Sequence, residues 1–193
     1  MAAQTAAKTR AAGLNSHVTV VAIPGGHLDS LHPERPFDGA YASFGALNCE
    51  PNLDRLVIAL AAMLRPGAAF ICSVMARWPL VEMTWYLIHG RPRQAFRRAR
   101  RGWQSAPIKG GSQRTNVRVR YFTVNEIERI FAAHFVLERA RALPLLLPPP
   151  YLESSYKKYR AFYDRLEPLE ILLCDRRPWY RFGDHISLIF RRK

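Results

Sequence analysis

The segment FDGAYASFGALNCEPNLDRLVIALAAMLRPGAAFICSVM, residues 37–75, decides the fold. Its first part, residues 37–45, favours a buried strand that ends in small residues suited to a ligand-facing loop. Apolar residues then recur at helical spacing after the potential N-cap Asn52, and Pro66-Gly67 is expected to end that helix. The run from Ala68 to Val74 is apolar without alternation, which predicts a strand covered on both faces. Strand, helix and strand in this order predict parallel strands joined by a right-handed crossover.

This segment resembles the middle of a class I S-adenosylmethionine-dependent methyltransferase, in which an acidic "FD" opens the fourth strand and "LRPGG" leads into the fifth. Further along, YFTVNEIERIFAAHFVLERA resembles the family's late helix and sixth strand, and "GDH" at residues 183–185 is similar to the start of its last strand. The likeness covers most of the chain. It implies an α/β, Rossmann-like sheet with helices on both faces, S-adenosyl-L-methionine as cofactor, and methyl transfer as the activity.

The composition predicts a single domain over residues 1–193, because this length and 49% hydrophobic content suffice for one core. Cys49, Cys72 and Cys174 are scattered and lack CxxC spacing, which favours a reducing compartment and argues against a disulfide frame or a zinc site. No apolar run approaches the roughly 20 residues of a membrane span, and the alanine-rich start lacks a secretory core. A cytoplasmic protein is therefore expected.

The N-terminal part predicts an incomplete sheet. Residues 2–12 favour a helix and Val18 to Ile23 a buried strand, and in the resembled family a helix ending in "AAGL" precedes the third strand. Because no GxGxG occurs, the first two strands and their glycine-rich cofactor turn are expected to be missing, as a truncated gene would also produce. Val18 to Ile23 is expected to pair directly with Phe37 to Tyr41. The alternatives are an open sheet edge or a strand supplied by another chain.

The resemblance places cofactor contacts on two loops. Gly26 and His27 follow the third strand, where the family's acidic residue is replaced, so backbone groups are expected to contact the adenine there. Ser43, Phe44 and Gly45 end the fourth strand, where the family lines the methionine part of the cofactor and the transfer site. A solvated loop position for His27 and simple packing for Phe44 are the alternatives. Open α/β sheets bind ligands at the carboxyl ends of their strands, which supports the second loop independently.

Substrate contacts are expected nearby, but the sequence identifies no catalytic residue. Asn48 either faces the substrate or caps the next helix. Methyl transfer from a sulfonium needs alignment in a dry pocket, and a general base only when the acceptor is a hydroxyl or a protonated amine. The candidate bases are His89, His134 and His185, and each also has a structural interpretation.

Residues 77–116 are predicted to be a basic, aromatic, helical insertion, with Gly110-Gly111-Ser112 as a flexible connection. The basic residues from position 77 to 120 are Arg77, Arg91, Arg93, Arg97, Arg98, Arg100, Arg101, Lys109, Arg114, Arg118 and Arg120, against Glu82 alone. A lid over an anionic or lipid-like substrate is one interpretation, with Trp78, Trp85 and His89 as substrate contacts. An anionic membrane surface is another, nucleic acid a less favoured third, and a solvated basic face the fourth.

The last third predicts regular structure. Val117 to Phe122 favours an edge strand, Thr123 to Glu126 a capping box, and residues 134–140 and 183–190 strands. Residues 144–170 combine a proline-rich connection with an aromatic helix, expected to pack in the core or over a pocket mouth. Two functions follow: methyl transfer to a small-molecule or lipid-like acceptor, or a catalytically inactive remnant that binds anionic membrane or nucleic acid through the arginine-rich insertion. The oligomeric state is left open.

Overall fold

The structure, a computed structural model, describes residues 2–43, 45–110, 113–149 and 153–193. The helices are α1 (Ala2–Ala11), α2 (Leu53–Met63), α3 (Leu80–Ile88), α4 (Pro92–Ala95), α5 (Val124–Phe131), α6 (Glu153–Lys158) and α7 (Arg160–Leu173). The strands are β1 (Phe37–Ala42), β2 (Leu64–Met75), β3 (Gln104–Gly110), β4 (Gln113–Val119), β5 (Phe135–Leu143) and β6 (His185–Arg192). Short 3-10 helices occupy Gly25–Ser30, Ala46–Cys49, Arg97–Ala99 and Trp179–Phe182.

The main sheet has four strands in the order β1-β2-β6-β5. Strands β1 and β2 are parallel and joined through α2, as the sequence predicts, whereas β6 runs antiparallel to both β2 and β5. Met75 pairs with His185, and His185 also pairs with Leu143. The carboxyl ends of β1 and β2 and the start of β6 therefore meet at one edge of the sheet, where open α/β sheets bind ligands.

The core lies on one face of this sheet, against α2 and α5. Phe131 of α5 stacks on Phe190 at 4.7 Å and on Phe70 at 5.5 Å between ring centroids, with Phe135 edge-on at 5.7 Å. Such aromatic pairs contribute about 0.5–1.5 kcal/mol each beyond the area they bury. Helix α5 is fixed against the sheet by this cluster, and its N-terminus carries the predicted capping box of Thr123 and Glu126.

Two predictions for the α2–β2 region are wrong in detail. Helix α2 ends at Met63, because the Leu64 N–H closes its last turn on Leu60 and Leu64 already pairs with Phe37 in the sheet. Pro66-Gly67 consequently lies inside β2, with Gly67 at φ 77°. Strand β2 is also not covered on both faces: Phe70 is 2% exposed, whereas Ile71 on the opposite face is 46% exposed.

The predicted strand from Val18 to Ile23 does not form, and its direct pairing with β1 is wrong. This segment has no regular structure, and Val18 and Val21 are 40% and 50% exposed. The C-terminal end of this segment is held against another part of the chain, because the following 3-10 helix Gly25–Ser30 packs against the start of α2. In the described part of the chain β1 is therefore an open edge, with Tyr41 81% exposed.

The insertion is helical only in its first half. After α3, α4 and the 3-10 helix Arg97–Ala99, strands β3 and β4 form a separate antiparallel pair in which Ala106 faces Val117. The alternating residues at 117–119 therefore belong to this pair rather than to the edge of the main sheet. Gly110 ends β3, and Gly111 and Ser112 of the predicted flexible connection lie outside the described residues.

Over the described ranges, no helix combines the length and the apolarity needed to cross a bilayer.

Candidate functional site

The loop after β1 begins at the ligand-binding edge of the sheet. Ser43 is exposed there, whereas Gly45 is buried and adopts φ 71°, in the left-handed region that favours glycine. A Cβ atom at Gly45 would lie 3.2 Å from the Met75 side chain and from Oδ1 of Asn48. Backbone conformation and packing both explain this glycine, and Ser43 is an exposed polar side chain at the start of the loop. Phe44, the third predicted contact on this loop, lies outside the described residues.

Asn48 fastens the loop to two other segments. Its Nδ2 donates to the carbonyl oxygens of Met75 (3.1 Å) and Arg120 (2.7 Å), and its Oδ1 accepts the Met75 N–H at 2.8 Å. A further hydrogen bond joins the same two residues, since the Arg120 N–H donates to the Asn48 carbonyl at 2.8 Å. Since Asn48 is fully buried, these bonds give it a bracing role, and its contact with a substrate stays a prediction.

Gly26 and His27 lie on a different segment, against the residues that precede α2. The Gly26 N–H donates to Oε2 of Glu50 at 3.0 Å, and a Cβ at Gly26 would meet the other oxygen of the same carboxylate at 3.0 Å. That N–H is therefore used within the protein and is not offered to a ligand. The His27 side chain is exposed.

An apolar cavity of about 700 Å³ opens between α3 and α7, just beyond the carboxyl end of β2. It brings together two of the predicted substrate contacts, Trp85 and His89, whose rings lie 4.2 Å apart. The remaining lining residues are Leu80, Val81, Thr84, Ile88, Leu146, Tyr159, Phe162, Tyr163 and Leu166. The α7 residues were missed as site residues because their aromatic spacing equally suits core packing, and only the fold places them opposite α3.

His89 has a defined tautomer in its neutral form. Its Nδ1 lies 2.7 Å from the Trp85 carbonyl oxygen, which can only accept a hydrogen bond, so Nδ1 carries the proton. Nε2 then keeps its lone pair and can accept a proton from a bound molecule. Because His89 also lines the apolar cavity, it is the best placed of the three histidine candidates.

The other two histidines lie elsewhere. His134 precedes β5 at the far end of the sheet, where Phe135 pairs with Arg192. His185 is at the correct edge, but its Nδ1 is bonded to Oδ2 of Asp184 at 2.8 Å. Burial alone would raise the pKa of Asp184, but the bond from His185 and the charge of Arg98 outweigh it and hold that pKa below its ordinary value.

A buried ionic cluster fastens α3 to this edge. The Arg98 guanidinium bonds the carboxylates of Glu82, on α3, and Asp184, just before β6; the contact with Asp184 Oδ1 is 2.8 Å. Arg98 also donates to the Asp184 carbonyl at 3.2 Å, and its guanidinium lies 5.1 Å from the Tyr121 ring centroid. The three charged side chains are each at most 6% exposed. This Glu82–Arg98–Asp184 cluster holds the helix that carries Trp85 and His89.

Glu170 of α7 fixes the opposite side of the apolar cavity. Its carboxylate accepts the N–H groups of Leu145, at 2.8 Å, and Leu146, so the proline-rich connection is tied to α7. Leu146 thereby reaches the cavity wall, while the packing of the whole segment over a pocket mouth stays a prediction. Pro150, Tyr151 and Leu152 lie outside the described residues.

Trp78 lines a second, basic cavity of about 560 Å³ rather than the apolar one. Its charged lining residues are Arg77, Arg101, Arg120, Arg129 and Glu126. Burial acts to raise the pKa of Glu126, but hydrogen bonds from Thr123 and Arg77 outweigh it and hold the pKa below its ordinary value. Glu126 is therefore ionised at neutral pH and neutralises one of the four arginines.

The residues that are present fit S-adenosyl-L-methionine only in part. The exposed Ser43 and the ends of β1 and β2 offer a place for its methionine end. At the predicted adenine contact, however, the Gly26 N–H is already bonded to Glu50. Contact between Ser43 or Gly45 and the methionine part of the cofactor therefore stays a prediction, and the predicted contact from the Gly26 N–H has a competing partner within the protein.

The parallel β1-α2-β2 unit and the antiparallel β6 give this chain the fold of class I S-adenosylmethionine-dependent methyltransferases, as the sequence predicts. A methyltransferase of Mesorhizobium loti superposes with a TM-score of 0.52 at 20% identity, over 98% of this chain and 76% of its own. The CcbJ methyltransferase of Streptomyces caelestis superposes with a TM-score of 0.55 at 12% identity, over 100% of this chain and 75% of its own. The [4+2]-cyclase SpnF superposes with a TM-score of 0.54 at 17% identity, over 98% of this chain and 62% of its own. No family model matches the chain, and no curated protein does.

Proposed function

We propose that this chain is an S-adenosyl-L-methionine-dependent methyltransferase whose acceptor is a small-molecule or lipid-like compound. The observation that carries the proposal is the apolar cavity of about 700 Å³ at the carboxyl edge of the sheet. Ligands of open α/β sheets bind at that edge, and pockets of this volume enclose small molecules. The fold shared with solved methyltransferases supports the same activity. A cytoplasmic location stays a prediction.

Because the cavity wall is apolar, it favours acceptors that have a large apolar portion. Trp85 and Phe162 face it from opposite helices, and apolar surface removed from water contributes about 25 cal/mol per Å². S-adenosyl-L-methionine, when bound, supplies a methyl group on a sulfonium. The task of this chain is then to orient the acceptor atom and exclude water, with α3 held by the Glu82–Arg98–Asp184 cluster.

His89 extends the proposal to acceptors that must lose a proton before transfer, namely hydroxyls and protonated amines. Its Nε2 can take the proton that such an acceptor loses, while the Nδ1–H bond to the Trp85 carbonyl keeps the ring in one tautomer. No base is required for an acceptor that is already a thiolate, a neutral amine or a carbanion. The effect of changing His89 therefore reports the chemical class of the acceptor.

The cofactor is tested by calorimetric titration of S-adenosyl-L-methionine into the 193-residue protein. We expect saturable one-site binding that Ser43→Trp weakens by at least about tenfold, because the indole would fill the loop at the end of β1. Ser105→Trp is the matched control, since Ser105 is equally exposed but lies on β3. Absence of binding to the folded protein, or undiminished binding by the Ser43 variant, would refute the proposal.

Methyl transfer must be measured directly, because the fold also occurs in a protein named as a cyclase. The assay uses S-adenosyl-L-methionine labelled in its methyl group and a panel of apolar alcohols, phenols and amines. Phe162→Ala should raise KM roughly fivefold to tenfold with little change in kcat. Phe96→Ala is the control, because it removes the same side chain from a position of similar exposure. Phe96 is 46% exposed and lies outside the apolar cavity, whereas Phe162 is 59% exposed and lies in its wall. His89→Gln should lower kcat about 100-fold for hydroxyl acceptors.

A further inference from the structure

The basic cavity is distinct from the apolar one, although both adjoin the segment between β2 and α3. It is formed where the end of β2, the turn before β3 and the start of α5 meet, and Trp78 contributes an apolar wall that is 37% exposed. Four arginines and one carboxylate line it, so its lining carries a net three positive charges. The concentration of charge in a concave site distinguishes it from a solvated basic face.

The arginines of this cavity have few anionic partners. In the part of the chain that the structure describes, Arg77 is paired with Glu126 at 2.8 Å, whereas Arg101, Arg120 and Arg129 have no carboxylate within 4.0 Å. Arg77 is 6% exposed, and its Nε has no hydrogen-bond partner among the described residues. The charge of Arg77 is thus balanced within the protein by Glu126, whereas the other three arginines leave the cavity lining with a net positive charge that an anionic ligand would neutralise.

From these observations we infer that the cavity binds the phosphate group of a phosphate monoester. Guanidinium groups bind phosphate oxygens through paired, charge-assisted hydrogen bonds, and several arginines around one concavity suit a dianion. A volume of about 560 Å³ exceeds that of the phosphate alone, so the site also admits an organic portion beside the Trp78 ring. This inference does not rest on methyl transfer, because the binding is measured without cofactor or acceptor.

The experiment titrates inorganic phosphate and phenyl phosphate at constant ionic strength and follows the backbone amides of Gly102, Thr123 and Asn125 by NMR. We expect saturable shifts at millimolar ligand or below, with phenyl phosphate binding more tightly because its ring contacts Trp78. Arg101→Gln with Arg129→Gln should weaken binding at least about tenfold. Both side chains are exposed, so this double variant is expected to fold.

The matched control is the double variant Arg91→Gln with Arg93→Gln. It removes the same amount of charge, from two residues of the insertion that are exposed and lie outside the basic cavity. The control should bind phenyl phosphate within about twofold of the parent protein, whereas a general surface-charge effect would weaken both variants equally. Equal weakening, or no saturable phosphate binding by the folded parent, would overturn the inference.

Vesicles distinguish the two sources of a phosphate monoester. Phosphatidic acid carries such a headgroup, so vesicles of phosphatidylcholine and phosphatidic acid in a roughly 4:1 ratio test a lipid source against phosphatidylcholine alone. Co-sedimentation that depends on Arg101 and Arg129 and is competed by phenyl phosphate identifies a lipid headgroup. Phenyl phosphate binding without co-sedimentation identifies a soluble phosphate ester. Tight binding of a single-stranded oligonucleotide that these arginine changes leave intact, with no binding of phenyl phosphate, would overturn the inference in favour of nucleic acid.

Discussion

Replacing Arg98 by methionine should destabilise this fold more than any other single change in the insertion. The variant removes the cation from the Glu82–Arg98–Asp184 cluster and leaves two carboxylates, 1% and 6% exposed, without their shared counter-ion. Removing one partner of a buried ion pair costs about 3–5 kcal/mol, and Arg98 also gives up its bond to the Asp184 carbonyl. We therefore expect the free energy of unfolding to fall by about 4 kcal/mol.

Arg97→Met is the matched control, because the adjacent arginine contacts the same Glu82 carboxylate at 2.9 Å. Its side chain is 46% exposed, and exposed ion pairs contribute only about 0–1 kcal/mol. The two variants thus delete the same residue type next to the same acid and differ in burial. Adding Glu82→Gln and Asp184→Asn to Arg98→Met should recover much of the loss, since no uncompensated charge then stays buried.

The assay is urea unfolding followed by circular dichroism, with the slope m checked for constancy among variants. A loss below about 1 kcal/mol for Arg98→Met, or a loss equal to that of Arg97→Met, would show that the cluster does not hold α3. Should Arg98→Met fail to fold, Glu82→Gln alone, which keeps the side-chain volume, is expected to cost about 1–3 kcal/mol.

Three further predictions concern the edge of the sheet. Asn48→Ala should cost about 2–4 kcal/mol in urea unfolding, because it leaves the N–H of the half-buried Met75 without its bond and two carbonyls short of a donor. Gly45→Ala should cost about 1–2 kcal/mol in the same assay, since its φ of 71° is strained for alanine and the new Cβ crowds Met75. The pKa of Asp184 is lower in the folded protein than its ordinary value of 3.8, so its contribution is complete above that pH and is lost as the pH falls below it. Asp184→Asn should therefore be less stable at neutral pH and lose less stability on acidification, as measured by unfolding across pH.

The central βαβ unit could be predicted from the sequence because its signals are local. The helical spacing of α2 and the capping box of α5 each depend on residues within a few positions, and both are confirmed. The predicted end of α2 is too late in the chain, because Leu64 already pairs in the sheet with Phe37, which lies 27 positions earlier. Pro66-Gly67 would end a helix by local preference, but the helix has already ended at Met63, and the paired strand begins at Leu64.

The segment from Val18 to Ile23 shows the opposite case, in which a strong local preference has no partner. β-Branched residues favour a strand only when a neighbouring strand and a packed face are present. Here the flanking contacts belong to α1 and to the 3-10 helix against α2, so the segment stays irregular and β1 keeps an open edge. The same reasoning explains Ile71, whose apolar side chain predicted a cover that the described residues do not supply.

The sequence placed Trp85 and His89 among the candidate contacts, and both line the apolar cavity, but it did not show which polar groups are already bonded within the protein. Sequence position alone made Gly26 a candidate cofactor contact, and Asn48 and His89 candidate substrate contacts. The structure separates them by what each polar group already bonds: Glu50 takes the Gly26 N–H, backbone groups take all of the Asn48 amide contacts, and His89 keeps Nε2 beside the apolar cavity. A polar side chain committed to a buried backbone group can orient a site but cannot also bind its ligand. The chemistry of this chain should therefore depend on the polar side chains that line its two cavities, His89 in the apolar one and the exposed arginines Arg101 and Arg129 in the basic one.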